Sequence, residues 1–204
     1  MKSGDLMKRD TKKVILQTAY LLFSEKGYDA VSVSMIQEAA DIGRATMYHY
    51  FKSKQELFEV VMEMTFEVAK AEEQHSDVDE MLLSTYIAQR IEKAKKSIEN
   101  SPLPKNIGML NYFILNFQAL ELNPDLAEQG YEIHQLEINR WEKIIRNSVK
   151  QGEILKQTDV EKTARLFMNV RHGVGATSTF KTSMEASVNK IDEMYKYIFS
   201  LIRS

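Results

Sequence analysis

Cysteine is absent from this 204-residue chain, which excludes disulfides and thiolate zinc sites and leaves no thiol redox chemistry. Proline occurs three times, always beyond residue 100, and glycine eight times, so little interrupts a helix in the first half. No apolar run reaches the ~18 residues expected of a membrane span. The opening MKSGDLMKRD has basic residues with no apolar segment behind them, unlike a secretory leader. These absences lead us to expect a cytoplasmic protein with no membrane partner.

Catalytic patterns are missing too. No carboxylate pair, nucleophile with a base, or Gly-rich phosphate loop stands out, so neither an enzyme nor a cofactor is expected. Glu72 and His75 have the ExxH spacing of a di-metal bundle, but such a site needs a second ExxH and further glutamates. No second ExxH occurs, and no metal site is expected.

What remains is ordinary in composition, 44% hydrophobic and 27% charged, as in a globular protein with a sizeable core. No segment alternates convincingly like a strand, and the fold class is all-α, with about nine helices. The net charge of −2 is unevenly divided. Residues 1–54 hold nine Lys/Arg against six Asp/Glu, leaving eighteen against twenty-three for the rest. A basic N-terminal part suits a polyanion, and the acidic remainder discourages unspecific wrapping.

The positive part contains VSMIQEAADIGRATMYHYFKSK, Val33 to Lys54. Ser32 is placed to cap a helix running to about Ala40, with Ile36, Ala39 and Ala40 inward. Asp41 tolerates the left-handed conformation of a turn, with Ile42 plugging the angle behind it. A second helix then starts near Gly43 or Arg44. Met47 and Phe51, four apart, face inward and leave Arg44, Ala45, Thr46, Tyr48 and His49 outside. Arg44 can donate to guanine, His49 can meet a base edge or phosphate, and the hydroxyls of Thr46 and Tyr48 suit phosphate oxygens. Ser34, Lys52 and Lys54 complete the expected DNA-binding set.

LLFSEKGYDAVSV followed by ADIGRATMYHYFKSKQELF resembles the DNA-binding domain of the TetR/AcrR family of bacterial transcriptional regulators. The resemblance covers roughly Val14 to Leu57, with TMYHYFKSK its most specific part. Where the family usually carries Gly and Ser, this chain has Asp41 and Gly43.

A first helix, from Asp10 or Thr11 to Lys26, is expected before this motif, ended by Gly27. Residues 1–54 then form a three-helix helix-turn-helix DNA-binding domain, and 55–204 a helical ligand-binding and dimerisation domain. Helix 55–74 serves as connecting lever. Beyond a break at 75–78, helical spacing predicts further helices over 79–100, 106–122, 124–151, from Asp159 past Gly175, and 187–203. The run from Asn106 to Leu122 is the most apolar and is expected at the centre of the second domain. Glu92, Lys93, Lys95 and Lys96 read as a solvated face.

The resemblance implies a homodimer on a palindromic DNA operator, released or recruited by an unknown small-molecule effector. Most members with this plan are repressors, which is the expectation here. Candidate pocket residues are Tyr86, Met109, Tyr112, Phe113, Phe117, Tyr131, His134, Trp141, Phe167, Met168 and His172, large and adaptable groups on helices that should converge. Candidate dimer-interface residues on the last two helices are Phe167, Val174, Ile191, Met194, Tyr195, Ile198 and Ile202. The rival reading is a helical bundle, enzymatic or ligand-binding, whose helix-turn-helix is structural only.

Overall fold

In a computed structural model of the chain, residues 3–74, 78–101, 109–177 and 183–204 are described, without the side chains of 3–10, 109, 110 and 112. Among the described residues there are nine helices and one isolated β-bridge. The helices are α1 (Ser3–Lys26), α2 (Val33–Ala39), α3 (Arg44–Tyr50), α4 (Lys54–Gln74), α5 (Leu83–Glu99), α6 (Met109–Leu122), α7 (Leu126–Lys150), α8 (Val160–Thr177) and α9 (Met184–Ile202). The all-α expectation therefore stands.

The chain divides into two compact units, but not at residue 54. The first comprises 1–68, 102–107 and 111–129; the second comprises 69–101, 108–110 and 130–204. The reason lies in α4, whose buried Leu57, Phe58, Val61 and Met62 belong to the same core as Ile15, Ala19, Phe23, Ile36, Met47 and Phe51. Phe23 meets Phe58 edge to face at 5.0 Å, a favoured geometry for aromatic pairs. α4 begins with Ser53 Oγ accepting from Glu56 N–H at 3.0 Å, while the Glu56 carboxylate accepts from Lys52 N–H at 2.6 Å, close to a capping box.

The expected place of the most apolar helix is corrected. From Asn111 onward α6 belongs to the first unit, where Leu115 and Ala119 join the core. Its polar residues explain this. Gln118 accepts from Tyr28 N–H at 3.1 Å and Asn111 donates to Glu25 O at 3.3 Å, fastening α6 to the end of α1. Ile114 and Phe117 are left exposed. Apolar residues all round a helix thus do not bury every side when polar side chains select the packed face.

In the second unit α9 packs on α5 and α8, around Leu83, Tyr86, Ile87, Trp141, Ile144, Ile145, Phe167 and Tyr195. α7 ends at Gly152, whose φ of +76° suits glycine. The chain then turns so that Glu153 caps α5, accepting from Leu83 N–H at 2.9 Å and Ser84 N–H at 3.3 Å. Buried Ser148 accepts from the same Leu83 N–H at 2.7 Å. Asp159 and Ser183 cap α8 and α9 through Lys162 N–H and Ala186 N–H. Several helices start a few residues from their expected positions: α5 at Leu83, because Asp79 and Glu80 form a turn, and α7 at Leu126, because Pro124 lies in the preceding turn. His75, half of the ExxH pair, lies outside the described residues.

Candidate nucleic-acid interface

The helix-turn-helix is assembled by backbone chemistry. Ser32 Oγ accepts from Met35 N–H at 3.2 Å and starts α2. At its other end Asp41 N–H donates to Glu38 O at 3.2 Å and Ile42 N–H to Gln37 O at 3.0 Å. That pair of bonds is a Schellman motif, and it requires the left-handed residue between them. Asp41 supplies it with φ +52°. Ile42 is half-buried against the core. Ala39, expected inward, is exposed instead, because the seven-residue helix turns its buried face towards Ile36.

Gly43 then precedes α3 without a side-chain cap. Met47 and Phe51 are buried and hold the helix down. Opposite them Arg44, Ala45, Tyr48 and His49 are exposed and Thr46 is half-buried. The Arg44 guanidinium lies 5.6 Å from the centre of the Tyr48 ring, a cation–π distance that keeps a long side chain near the helix. Ser34 and Lys52 are exposed as well.

Lys54 is placed differently. Its ammonium donates to Tyr28 O at 3.0 Å and sits 4.1 Å from the centre of the Tyr28 ring. The charge expected at a phosphate is engaged in joining α4 to the α1–α2 loop.

The candidate pocket residues do not gather in one unit. Phe113 and Phe117 lie in the first, with Phe117 68% exposed. Tyr86, Trp141, Phe167 and Met168 lie in the second and are buried core. Trp141 stacks on Phe167 at 4.8 Å, and Tyr86 meets Trp141 edge to face at 4.8 Å. His134 and His172 stack at 6.0 Å, and Tyr131 is 65% exposed. The side chains of Met109 and Tyr112 lie outside the described residues.

Beside the aromatic cluster is an ionic group that the sequence reading missed. Glu137, buried on α7, accepts from Arg90 Nη2 of α5 at 2.9 Å and from Arg171 Nη2 of α8. Burial pushes the Glu137 carboxyl up, but Arg171 and Arg90 outweigh it and hold it below the usual range. Arg140 Nη1 lies 2.8 Å from Glu73 Oε2 without an aligned hydrogen bond. Here burial outweighs Arg90 and Arg140, and the Glu73 carboxyl is raised. A signal was available. Glu137 precedes Trp141 by four, Arg90 follows Tyr86 by four, and Arg171 follows Phe167 by four, so each charge occupies an inner-face position.

The dimer-interface expectation is corrected in part. Phe167, Tyr195 and Ile198 are buried within the protomer, so they have no surface to offer a partner. Val174, Ile191, Met194 and Ile202 are half-buried. The exposed apolar residues of α8 and α9 are Leu166, Tyr197 and Leu201, one step round each helix from the stripe the sequence suggested.

The geometry of α2, the left-handed turn and α3 defines the helix-turn-helix domain of a transcriptional regulator. Residues 15–61 match the family model described as bacterial regulatory proteins, tetR family, and the chain belongs to the TetR family. It is 26% identical over 178 residues to the uncharacterised HTH-type transcriptional regulator YhgD of Bacillus subtilis, covering 80% of this chain and 82% of that protein. It is 36% identical over 56 residues to IcaR of Staphylococcus aureus, the negative regulator of the biofilm operon icaADBC, covering 28% of this chain and 30% of that one. The fold is similar to a TetR regulator from Haloarcula marismortui at TM-score 0.71 and 14% identity, over 96% of this chain and 100% of that one. A regulator from Saccharomonospora viridis in complex with choline gives TM-score 0.69 at 18% identity, over 96% and 99%.

Proposed function

We propose that the chain is a ligand-responsive repressor that binds a palindromic operator as a homodimer in the cytoplasm, without enzymatic activity. The observation that carries this reading is the outer face of α3, where Arg44, Ala45, Tyr48 and His49 are exposed while Met47 and Phe51 anchor the helix. In this reading two copies of α3 enter successive major grooves with centres about one helical turn apart. Arg44 and His49 read base edges; Ser34, Thr46, Tyr48 and Lys52 hold phosphates; Ala45 permits close approach. Repression is carried over from the staphylococcal relative, whose printed name makes it a negative regulator.

Pairing is assigned to α8 and α9. Met194, Tyr197 and Leu201 follow one face of α9 at spacings of three and four, as Leu166, Val170 and Gly173 do on α8. A Cβ added at Gly173 would meet nothing within 4 Å, so the surface there is open to a second copy.

Selection of genomic fragments by the purified protein tests the reading, with an Arg44→Ala, His49→Ala double variant alongside. The parent enriches a palindrome, and its affinity falls with salt at a log–log slope of about −0.9 per neutralised phosphate. Each base-reading substitution costs on the order of 1–3 kcal/mol and relaxes the preference at its own position. Equal enrichment by parent and double variant would remove the assigned role of α3.

A further inference from the structure

We propose that the effector is an aromatic monocarboxylate, its anion received in the second unit among Arg171, Tyr195, Trp141 and Arg90; this rests on the ligand-responsive reading above. Three buried polar atoms there have no hydrogen-bond partner: Trp141 Nε1, Arg171 Nε and Tyr195 Oη. Trp141 and Tyr195 are 0% and 1% exposed. An indole N–H and a guanidinium N–H can only donate, and a phenol can donate. Buried donors left unpaired are costly, and what they share is the need for an acceptor.

Charge points the same way. The guanidiniums of Arg90, Arg140 and Arg171 are balanced by only two carboxylates, Glu73 and Glu137. The raised Glu73 carboxyl weakens that balance further. One surplus positive charge among unpaired donors favours a single negative charge carrying several acceptor lone pairs, which describes a carboxylate better than a phosphate dianion. A cationic ligand would meet the surplus directly.

The body of the ligand is assigned from the solvent side. The Arg171 side chain is 40% exposed, and its Nη2 lies 3.2 Å from His172 Nε2. The His172 ring is nearly parallel to that of His134, with 16° between the planes. Burial and the Arg171 charge, only partly countered by Glu137, hold the His172 pKa below its ordinary value. A neutral imidazole face beside a guanidinium suits a flat ring joined to a carboxylate.

Trp141 is the sole tryptophan, so intrinsic fluorescence of the full-length protein reports the site directly. Titration with benzoate gives a saturable change, and benzamide, equal in shape but uncharged, gives none over the same range. Arg171→Lys keeps a cation for Glu137 but removes the Nε–H, and it weakens benzoate by about tenfold or more. Circular dichroism shows that the variant is folded. Tyr195→Phe weakens benzoate several-fold. A saturable change with benzamide equal to that with benzoate, no saturable change with either, or unaltered benzoate affinity in a folded Arg171→Lys protein would each overturn the assignment. Operator binding is measured on the same sample. Loss of operator recognition in the parent removes the regulator reading, whereas intact operator binding with no benzoate response removes this inference alone.

Discussion

At the residue scale, side chains that look alike in the sequence have different work to do. Lys52 and Lys54 both stand beside the helix-turn-helix, yet Lys52 is exposed while Lys54 donates to Tyr28 O and covers its ring. Lys54→Ala is therefore expected to destabilise the protein by about 1 kcal/mol, the sum expected of a partly exposed cation–π contact and one hydrogen bond. Denaturant unfolding measures it, and an unchanged midpoint would return Lys54 to the phosphate role. Glu137 and Glu73 respond to pH in opposite directions. The Glu137 carboxyl is depressed, so its contribution is present above the ordinary carboxylate pKa and is lost as pH falls through the lower, folded value. The Glu73 carboxyl is raised, so the folded state takes up that proton first, and stability grows as pH falls from the raised value to the ordinary one. Unfolding followed from neutral to acid pH should lose the mild gain in Glu73→Gln and much of the later loss in Glu137→Gln. Identical profiles for parent and variants would contradict both assignments.

At the scale of elements, short helices depend on their ends. α2 has seven residues and one fully buried side chain, Ile36, and an isolated helix of that length does not persist in water. The Ser32 cap and the Schellman turn are what hold it in the helix-turn-helix. Ser32→Ala should cost about 1 kcal/mol, read as a lowered unfolding midpoint, while Ser32→Thr should leave it nearly unchanged. Equal losses from both substitutions would mean that the Ser32 hydroxyl is not the cap. The Ser32 and Asp41 roles were legible in the sequence because capping and left-handed turns are local chemistry. The packed face of α6 was not, because Leu115, Ala119, Ile114 and Phe117 are equally apolar. Only Gln118 and Asn111, through bonds to Tyr28 and Glu25, decide which of them turn inward.

At the scale of the whole molecule, the proposed regulator depends on pairing through α8 and α9. Leu201 is 60% exposed and has no role in the core. Leu201→Glu should leave the fold intact and shift the mass measured by sedimentation from two chains to one. Operator affinity should fall by orders of magnitude, because the second half-site is then bound without linkage to the first. A dimer that survives both Leu201→Glu and Leu166→Glu would move the interface elsewhere on the surface.

The amino-acid sequence by itself determined the helical class, the helix-turn-helix with its cap and turn, and the outer face of α3. Each of these rests on groups within about a turn of one another, where periodicity and backbone chemistry are decisive. Only the tertiary structure decided that Lys54 is held by Tyr28 and that α6 joins the first unit. It likewise decided that Phe167 and Tyr195 are core, and that Arg90, Glu137 and Arg171 meet. Those outcomes depend on partners tens of residues away, and helical periodicity tells which face a side chain shares but not what lies across from it.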